Sequence, residues 1–173
     1  GAQIAEFLVA GGHKRIAHIA GWIGSSTGRD RHRGFVDGLA VHGMEPVMVV
    51  DGHYDREIAV QATRDLMARS STPDAIFVGN DHMAFAVMDT LRFELGLRIP
   101  EDISVISYDD VPAAAWPAYN LTTVRQRAEQ MVQETVRILM EQIHGNGLQS
   151  QQISIGSPII VRGSARIPEG WIS

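Results

Sequence analysis

Four short apolar runs, Arg15 to Ala20, Pro46 to Val50, Ala75 to Val78 and Ile103 to Tyr108, recur at near-even spacing. The interval is roughly 30 residues, the length of one strand–helix–strand unit. Stretches with apolar residues at helical spacing separate the runs, at about 28 to 41, 56 to 68 and 82 to 95. The runs are nearly continuous and rich in β-branched residues, as suits strands covered on both faces of a parallel sheet. The pattern therefore predicts an α/β protein, a doubly wound parallel sheet with flanking helices. At 173 residues there is room for one such domain and not for two ordinary ones.

Either end departs from that rhythm. A helix precedes the first strand, with Ile4, Phe7 and Leu8 on one stripe and Gly11-Gly12 as its stop signal. After Tyr108 comes a Pro/Ala-rich stretch, Val111 to Asn120, then a β-prone run, Leu121 to Val124. A long amphipathic helix is predicted next, over about 127–144, with Ala128, Met131, Val132, Thr135, Val136, Leu139 and Ile143 on one stripe. The polar linker Gly145 to Ser150 leads to two more strand-like runs, near Ile153 and at Ile159 to Val161, and residues 167–173 read as a tail.

Composition removes several functions. The absence of cysteine excludes disulfides, thiolate metal sites and a cysteine nucleophile. The longest apolar runs fall short of a bilayer span, and no secretory leader opens the chain, so a cytoplasmic protein without membrane contact is expected. Net charge is −5, and the basic residues are scattered apart from Arg29, Arg31 and Arg33. A phosphate-gripping face would show a basic stripe, so these residues are not expected to bind DNA themselves.

Ligands of open α/β sheets sit outside the carboxyl ends of the strands. There this chain places Trp22, Ser25, Ser26, Thr27, Arg29 and Arg31 after the first strand, and Asp51, Gly52, His53 and Tyr54 after the second. Gly79, Asn80 and Asp81 follow the third, and Asp109 and Asp110 the fourth. Arginine as a forked donor and aspartate as a two-point acceptor suit vicinal hydroxyls, and an aromatic face covers the apolar side of a sugar ring. The plainer alternative is that Asn80 or Asp109 simply caps the next helix.

These residues also carry a resemblance. Gly12-His13-Lys14-Arg15-Ile16 with Ile19-Ala20-Gly21 resembles the opening of the regulatory core in the lactose-repressor (LacI/GalR) family. Ser26-Thr27 with Arg31 and Gly34-Phe35 is similar to its first effector loop. Gly79-Asn80-Asp81 with Met83-Ala84, the run Ile99 to Val105, Tyr108-Asp109-Asp110 and Leu121-Thr122-Thr123-Val124 with Gln126 follow in order. Trp22 and Ser107 depart from it, standing where proline and glycine are common.

The resemblance implies the carboxyl-terminal subdomain of a type I periplasmic-binding-protein-like core that senses a small sugar or sugar-like effector. It implies effector contacts from Thr27, Arg31, Tyr54 (as the stacking aromatic), Asn80, Asp109 and Gln126, with Trp22 as an additional contact. Residues 1–166 would be a partial effector-binding and dimerisation domain, lacking the DNA-binding headpiece and most of the other subdomain. The helix over 127–144 would pack on that missing subdomain. Operator DNA would be reached only through the headpiece, and a homodimer would form partly through Phe85, with Met83 and Met88 kept for the core. No enzyme activity, cofactor or metal is implied.

Three other readings compete with this one. Gly24-Ser25-Ser26-Thr27-Gly28 is a literal G-x-S-x-G, with Asp109 and His144 following in the order of an α/β serine hydrolase, but Trp22 and Ile23 separate it from its strand. The seven histidines show no metal-ligand spacing and are expected mostly on the surface or in loops. A periplasmic sugar receptor of a transport system shares the fold and much of the site, and the regulator-like order of motifs tells against it.

Overall fold

The computed structural model describes residues 1–144, 153 and 155–171. Its elements run α1 (Ala2–Ala10), β1 (Ile16–Ala20), α2 (Ser26–Ala40), β2 (Met48–Asp51), α3 (Arg56–Met67), β3 (Ala75–Val78) and α4 (Asp81–Asp89). They continue as β4 (Ser104–Asp109), β5 (Thr122–Arg125), α5 (Ala128–Ile143) and β6 (Ile159–Ile160). One sheet takes the order β2-β1-β3-β4-β5-β6, parallel throughout except for β6 against β5. The doubly wound parallel sheet is therefore present, with its reversal between β1 and β3, where such folds open a crevice.

Alternation along the strands divides the interior into two layers. Ala17, Ile19, Ile76, Val78 and Val105 face α3 and α4, while Ile16, Ala75, Phe77 and Ile106 face α1 and α2. The α1 stripe is part of the second layer, with Ile4, Phe7 and Leu8 wholly buried. Met83 and Met88 are also fully buried, as expected of core residues. The described residues of the final stretch bear no helix or strand, yet Pro168 is buried and Trp171 packs edge-on against Phe7 at 5.1 Å.

The structure differs from the sequence expectation at three places. β1 and β3 are buried along their whole length, but β2 is an edge strand and leaves Val49 exposed. A continuous apolar run reads alike in both settings. The helix expected to reach Leu95 is α-helical only to Asp89 and then widens into a π-helical turn, Thr90–Glu94, that leaves Phe93 81% exposed. Histidine is not confined to surfaces. His18 sits mid-strand in β1, stacked on Phe77 at 4.4 Å, with Nδ1 against the Phe77 carbonyl oxygen at 3.0 Å. Burial drives its pKa down to about 3, so the ring is neutral and donates from Nδ1. The linker Gly145 to Ser150 lies outside the described residues, as do the neighbours of Ile153.

Beneath the carboxyl edge of the sheet, Asp81 ties three strands together. Its carboxylate accepts from the hydroxyls of Ser107 on β4 and Thr123 on β5 (2.7 Å for Thr123) and from the Val111 N–H at 2.9 Å. Ser107, where the family resemblance leads one to expect glycine, supplies one of those donors. Burial outweighs the three hydrogen bonds and pushes the Asp81 carboxyl above its usual pKa.

Candidate functional site

The site begins with a cap. Ser25 opens α2 by accepting from the Gly28 N–H at 3.0 Å while its hydroxyl donates to the Trp22 carbonyl at 2.8 Å. Helical spacing then sets Thr27, Asp30 and Arg31 on one face of α2. Arg31 reaches across the β1/β3 reversal, donating from Nη1 to the Gly79 carbonyl at 2.7 Å and from Nη2 to Asp109 Oδ1 at 3.0 Å. Its guanidinium lies over the Tyr108 ring, 3.9 Å from the centroid, a cation–π arrangement. The Gln126 side-chain amide donates to the same Asp109 oxygen, and its backbone N–H to the Asp109 carbonyl at 3.3 Å. One carboxylate thus joins α2, the end of β4 and the segment after β5. Its second oxygen makes no hydrogen bond among the described residues.

The backbone makes this geometry. Asp109 and Asp110 both have positive φ, 130° and 59°, a conformation side chains other than glycine seldom adopt. The reversal sends the two carboxylates apart. Asp110 turns inward between Arg125 Nε at 2.5 Å and Arg162 Nη2 at 2.6 Å, so the two carboxylates do not share one site.

A cleft of about 550 Å³ opens beside the Asp109 cluster, within the range usual for small-molecule sites. Thr27, Asp30, Arg31, Tyr108 and Gln126 form one side, and α5 supplies Met131, Glu134, Thr135 and Ile138. Ile153, Ile155 and Ser157 complete the lining. The α5 residues are spaced i, i+3, i+4, i+7, one helical face. Val132, Val136, Leu139 and Ile143 of the predicted stripe instead stand more than half exposed, and α5 buries no residue.

Thr27, Arg31 and Gln126 therefore line one cleft, and Asp109, itself outside the lining, is tied to Arg31 and Gln126. Asn80 lies next to Gly79 but outside the lining, and its side-chain oxygen caps α4 by accepting from the Met83 N–H at 3.0 Å. Tyr54 has a left-handed backbone, φ 57°. Its ring folds onto Gly21, where a Cβ would come within 2.2 Å of it, and its buried hydroxyl has no hydrogen-bond partner among the described residues. The Trp22 ring leans on Gly24 and stays 50% exposed. Phe85 is half-buried and packs against Tyr119, with centroids 4.3 Å apart.

Sequence reasoning missed Tyr108, Asp30 and the cleft face of α5. Asp30 was within reach of it, since Thr27, Asp30 and Arg31 follow helical spacing. Tyr108 gave no such signal, because its role depends on where Arg31 arrives.

The serine-hydrolase arrangement is not assembled. Ser25 is occupied as a cap, Ser26 is the first residue of α2, and His144 Nδ1 faces the Met140 carbonyl at 2.6 Å. No hydrogen bond joins Ser26, Asp109 and His144 among the described residues. No group of three histidine or acidic side chains among those residues could hold a metal ion, and no helix there is long and apolar enough to cross a membrane.

A model of the periplasmic binding protein-like domain matches residues 5–165. The chain belongs to that family. Within it the likeness is to the effector-binding cores of LacI-type regulators. It is 34% identical over 166 residues to the HTH-type transcriptional repressor PurR of Erwinia tasmaniensis, covering 95% of this chain and 48% of that protein. A dimeric lac repressor superposes with a TM-score of 0.89 at 29% identity, over 96% of this chain and 61% of the other. The complex of the transcriptional regulator CelR with cellobiose gives 0.85 at 34% identity, over 91% and 49%. This periplasmic binding protein-like chain spans about half the length of the curated relatives it matches.

Proposed function

We propose that this chain is the ligand-binding regulatory part of a LacI-type DNA-binding transcription regulator, with a small sugar or sugar-like effector held in the cleft. The observation that carries the reading is the Asp109 carboxylate, fixed by Arg31 and Gln126 with its second oxygen unengaged. Hydroxyls can donate to that oxygen, the amide of Gln126 and the hydroxyl of Thr27 add donors, and Tyr108 with the isoleucines offers apolar cover. Asn80 and Tyr54 then act from behind the cleft wall, one by starting α4 and one by packing on Gly21, with Trp22 at the rim.

The relatives are about twice as long, and the exposed apolar stripe of α5 supports its packing on a part of the protein beyond these residues. Such a part would close the cleft from the far side. An effector then acts by binding one relative orientation of the two halves more tightly than the other. DNA would be read by a separate headpiece, the protein would work in the cytoplasm as a homodimer, and Phe85 with Tyr119 would lie at the contact. Binding, not catalysis, is the activity.

The reading is tested by screening sugars against the full-length protein by thermal shift. At least one sugar should raise the midpoint, and Asp109→Ala should lower its affinity by about tenfold or more, the loss of one charge-assisted hydrogen bond. A sugar response untouched by Asp109→Ala would refute this placement of the site.

A further inference from the structure

Arg31 is held at the cleft from three directions, each from a different part of the fold. Nη1 donates to the Gly79 carbonyl just past β3 at 2.7 Å, and Nη2 to Asp109 Oδ1 at the end of β4 at 3.0 Å. Those bonds spend two of the five N–H donors of a guanidinium. The other three make no hydrogen bond among the described residues. Two bonds to the terminal nitrogens also leave one freedom. The guanidinium plane can still rock about the line through Nη1 and Nη2.

The third holder, Tyr108, removes that freedom. Alternation along β4 turns Ile106 and Tyr108 toward α1 and α2, the side from which Arg31 arrives. Pairing of Tyr108 with Val124 on β5 fixes its height at the strand end. The guanidinium carbon of Arg31 stands over the half-buried ring, 3.9 Å from its centroid. With only 11% of the Arg31 side chain exposed, water screens this attraction little, and a cation gains most from an aromatic face when it is desolvated. No neighbour duplicates the contact: Tyr108 is the one aromatic ring lining the cleft among the described residues.

We infer that Tyr108 is a positioning residue: its ring fixes the plane of the Arg31 guanidinium and so aims the three unspent N–H donors at the effector. This rests on the effector-sensing reading above and adds to it the residue that sets its strongest donor. Tyr108 then acts through Arg31, beyond the apolar cover its ring gives the cleft.

The test is calorimetric titration of the full-length protein with ribose, glucose and cellobiose. For the sugar that binds best, Tyr108→Leu should weaken binding about tenfold, and Tyr108→Phe, which keeps the ring, by less than about threefold. Tyr108→Met takes the place of the leucine variant if that one does not fold. Arg31→Lys, a cation without the flat fork, should also cost about tenfold. Combined with Tyr108→Leu it should cost little more than either change alone, where independent effects would multiply to about a hundredfold. In the sugar-free protein the ring should shift the Arg31 Nε–H proton resonance upfield, in the wild type and in Tyr108→Phe and not in Tyr108→Leu. Equal losses in the phenylalanine and leucine variants would mean that the hydroxyl itself meets the sugar. Multiplying losses in the double variant, or an Arg31 resonance that ignores Tyr108→Leu, would mean that the ring does not act through Arg31. Any of these three results overturns the positioning role and leaves effector sensing intact. Silence from all three sugars removes the sensing reading, and the aiming of donors at an effector falls with it.

Discussion

Asp81 follows β3 and Asp109 ends β4, so two carboxylates stand at the tips of neighbouring strands in very different company. Asp81 is fully buried, with Ser107, Thr123 and the Val111 N–H around it. Asp109 keeps a quarter of its side chain exposed and gathers its partners on one oxygen, leaving the other without a hydrogen bond among the described residues. The knot around Asp81 holds β3, β4 and β5 in register and fixes where the chain leaves β4. The cluster around Asp109 can therefore be open without being loose. Polar residues at strand ends thus divide into those that build the rim and those that use it.

Asp81→Ala should have the largest effect on stability. It strands two hydroxyls and an amide in a dry setting, and about 3 kcal/mol should be lost in urea unfolding. A loss under about 1 kcal/mol would mean that Asp81 is no more structural than Asp109, and the contrast between them would fall.

Acidity sharpens the contrast through His18, a buried group on the other face of the sheet. Its folded pKa is about 3 against 6.5 in an unfolded chain, so between those values the unfolded state binds more protons. Stability is then complete above pH 6.5 and declines as pH falls, by about 1.4 kcal/mol per unit at full slope. His13, lowered mainly by burial, adds to the decline, whereas Asp81, raised mainly by burial, opposes it just above its ordinary pKa. Between about pH 7 and pH 5 the His18 share should approach 2 kcal/mol, and His18→Phe should remove it. An identical pH slope in that variant would show that the charge is resisted elsewhere.

Asn80→Ala has the smallest expected effect, about 1 kcal/mol of stability from the lost α4 cap, with effector affinity changed less than threefold. A tenfold loss of affinity would move Asn80 from the scaffold to the ligand.

Much of this was legible beforehand. Evenly spaced apolar runs sufficed for the sheet, because a parallel strand hidden on both faces must be apolar throughout. The same rule misread β2, since an edge strand can carry Val49 to solvent without losing its pairing. The convergence of Thr27, Arg31 and Asp109 was legible because loop position and residue chemistry agreed, with Gln126 added by the family resemblance. Asn80 and Tyr54 were not, because a strand-end asparagine serves equally as cap or ligand, and the aim of a tyrosine is decided by a left-handed turn and the space above Gly21. His18 was hidden by its neighbours: nothing local says that an imidazole in IAHIA lies flat on a phenylalanine two strands of sequence away.

The paired left-handed residues at 109 and 110 bear on how such a sensor changes its diet. Under the proposed function, adjacent codons serve two separate trades there, one meeting the guest and the other latching the floor to Arg125 and Arg162. Substitution at the first can revise taste while the second keeps the room standing, so new preferences are open to this protein one base change at a time.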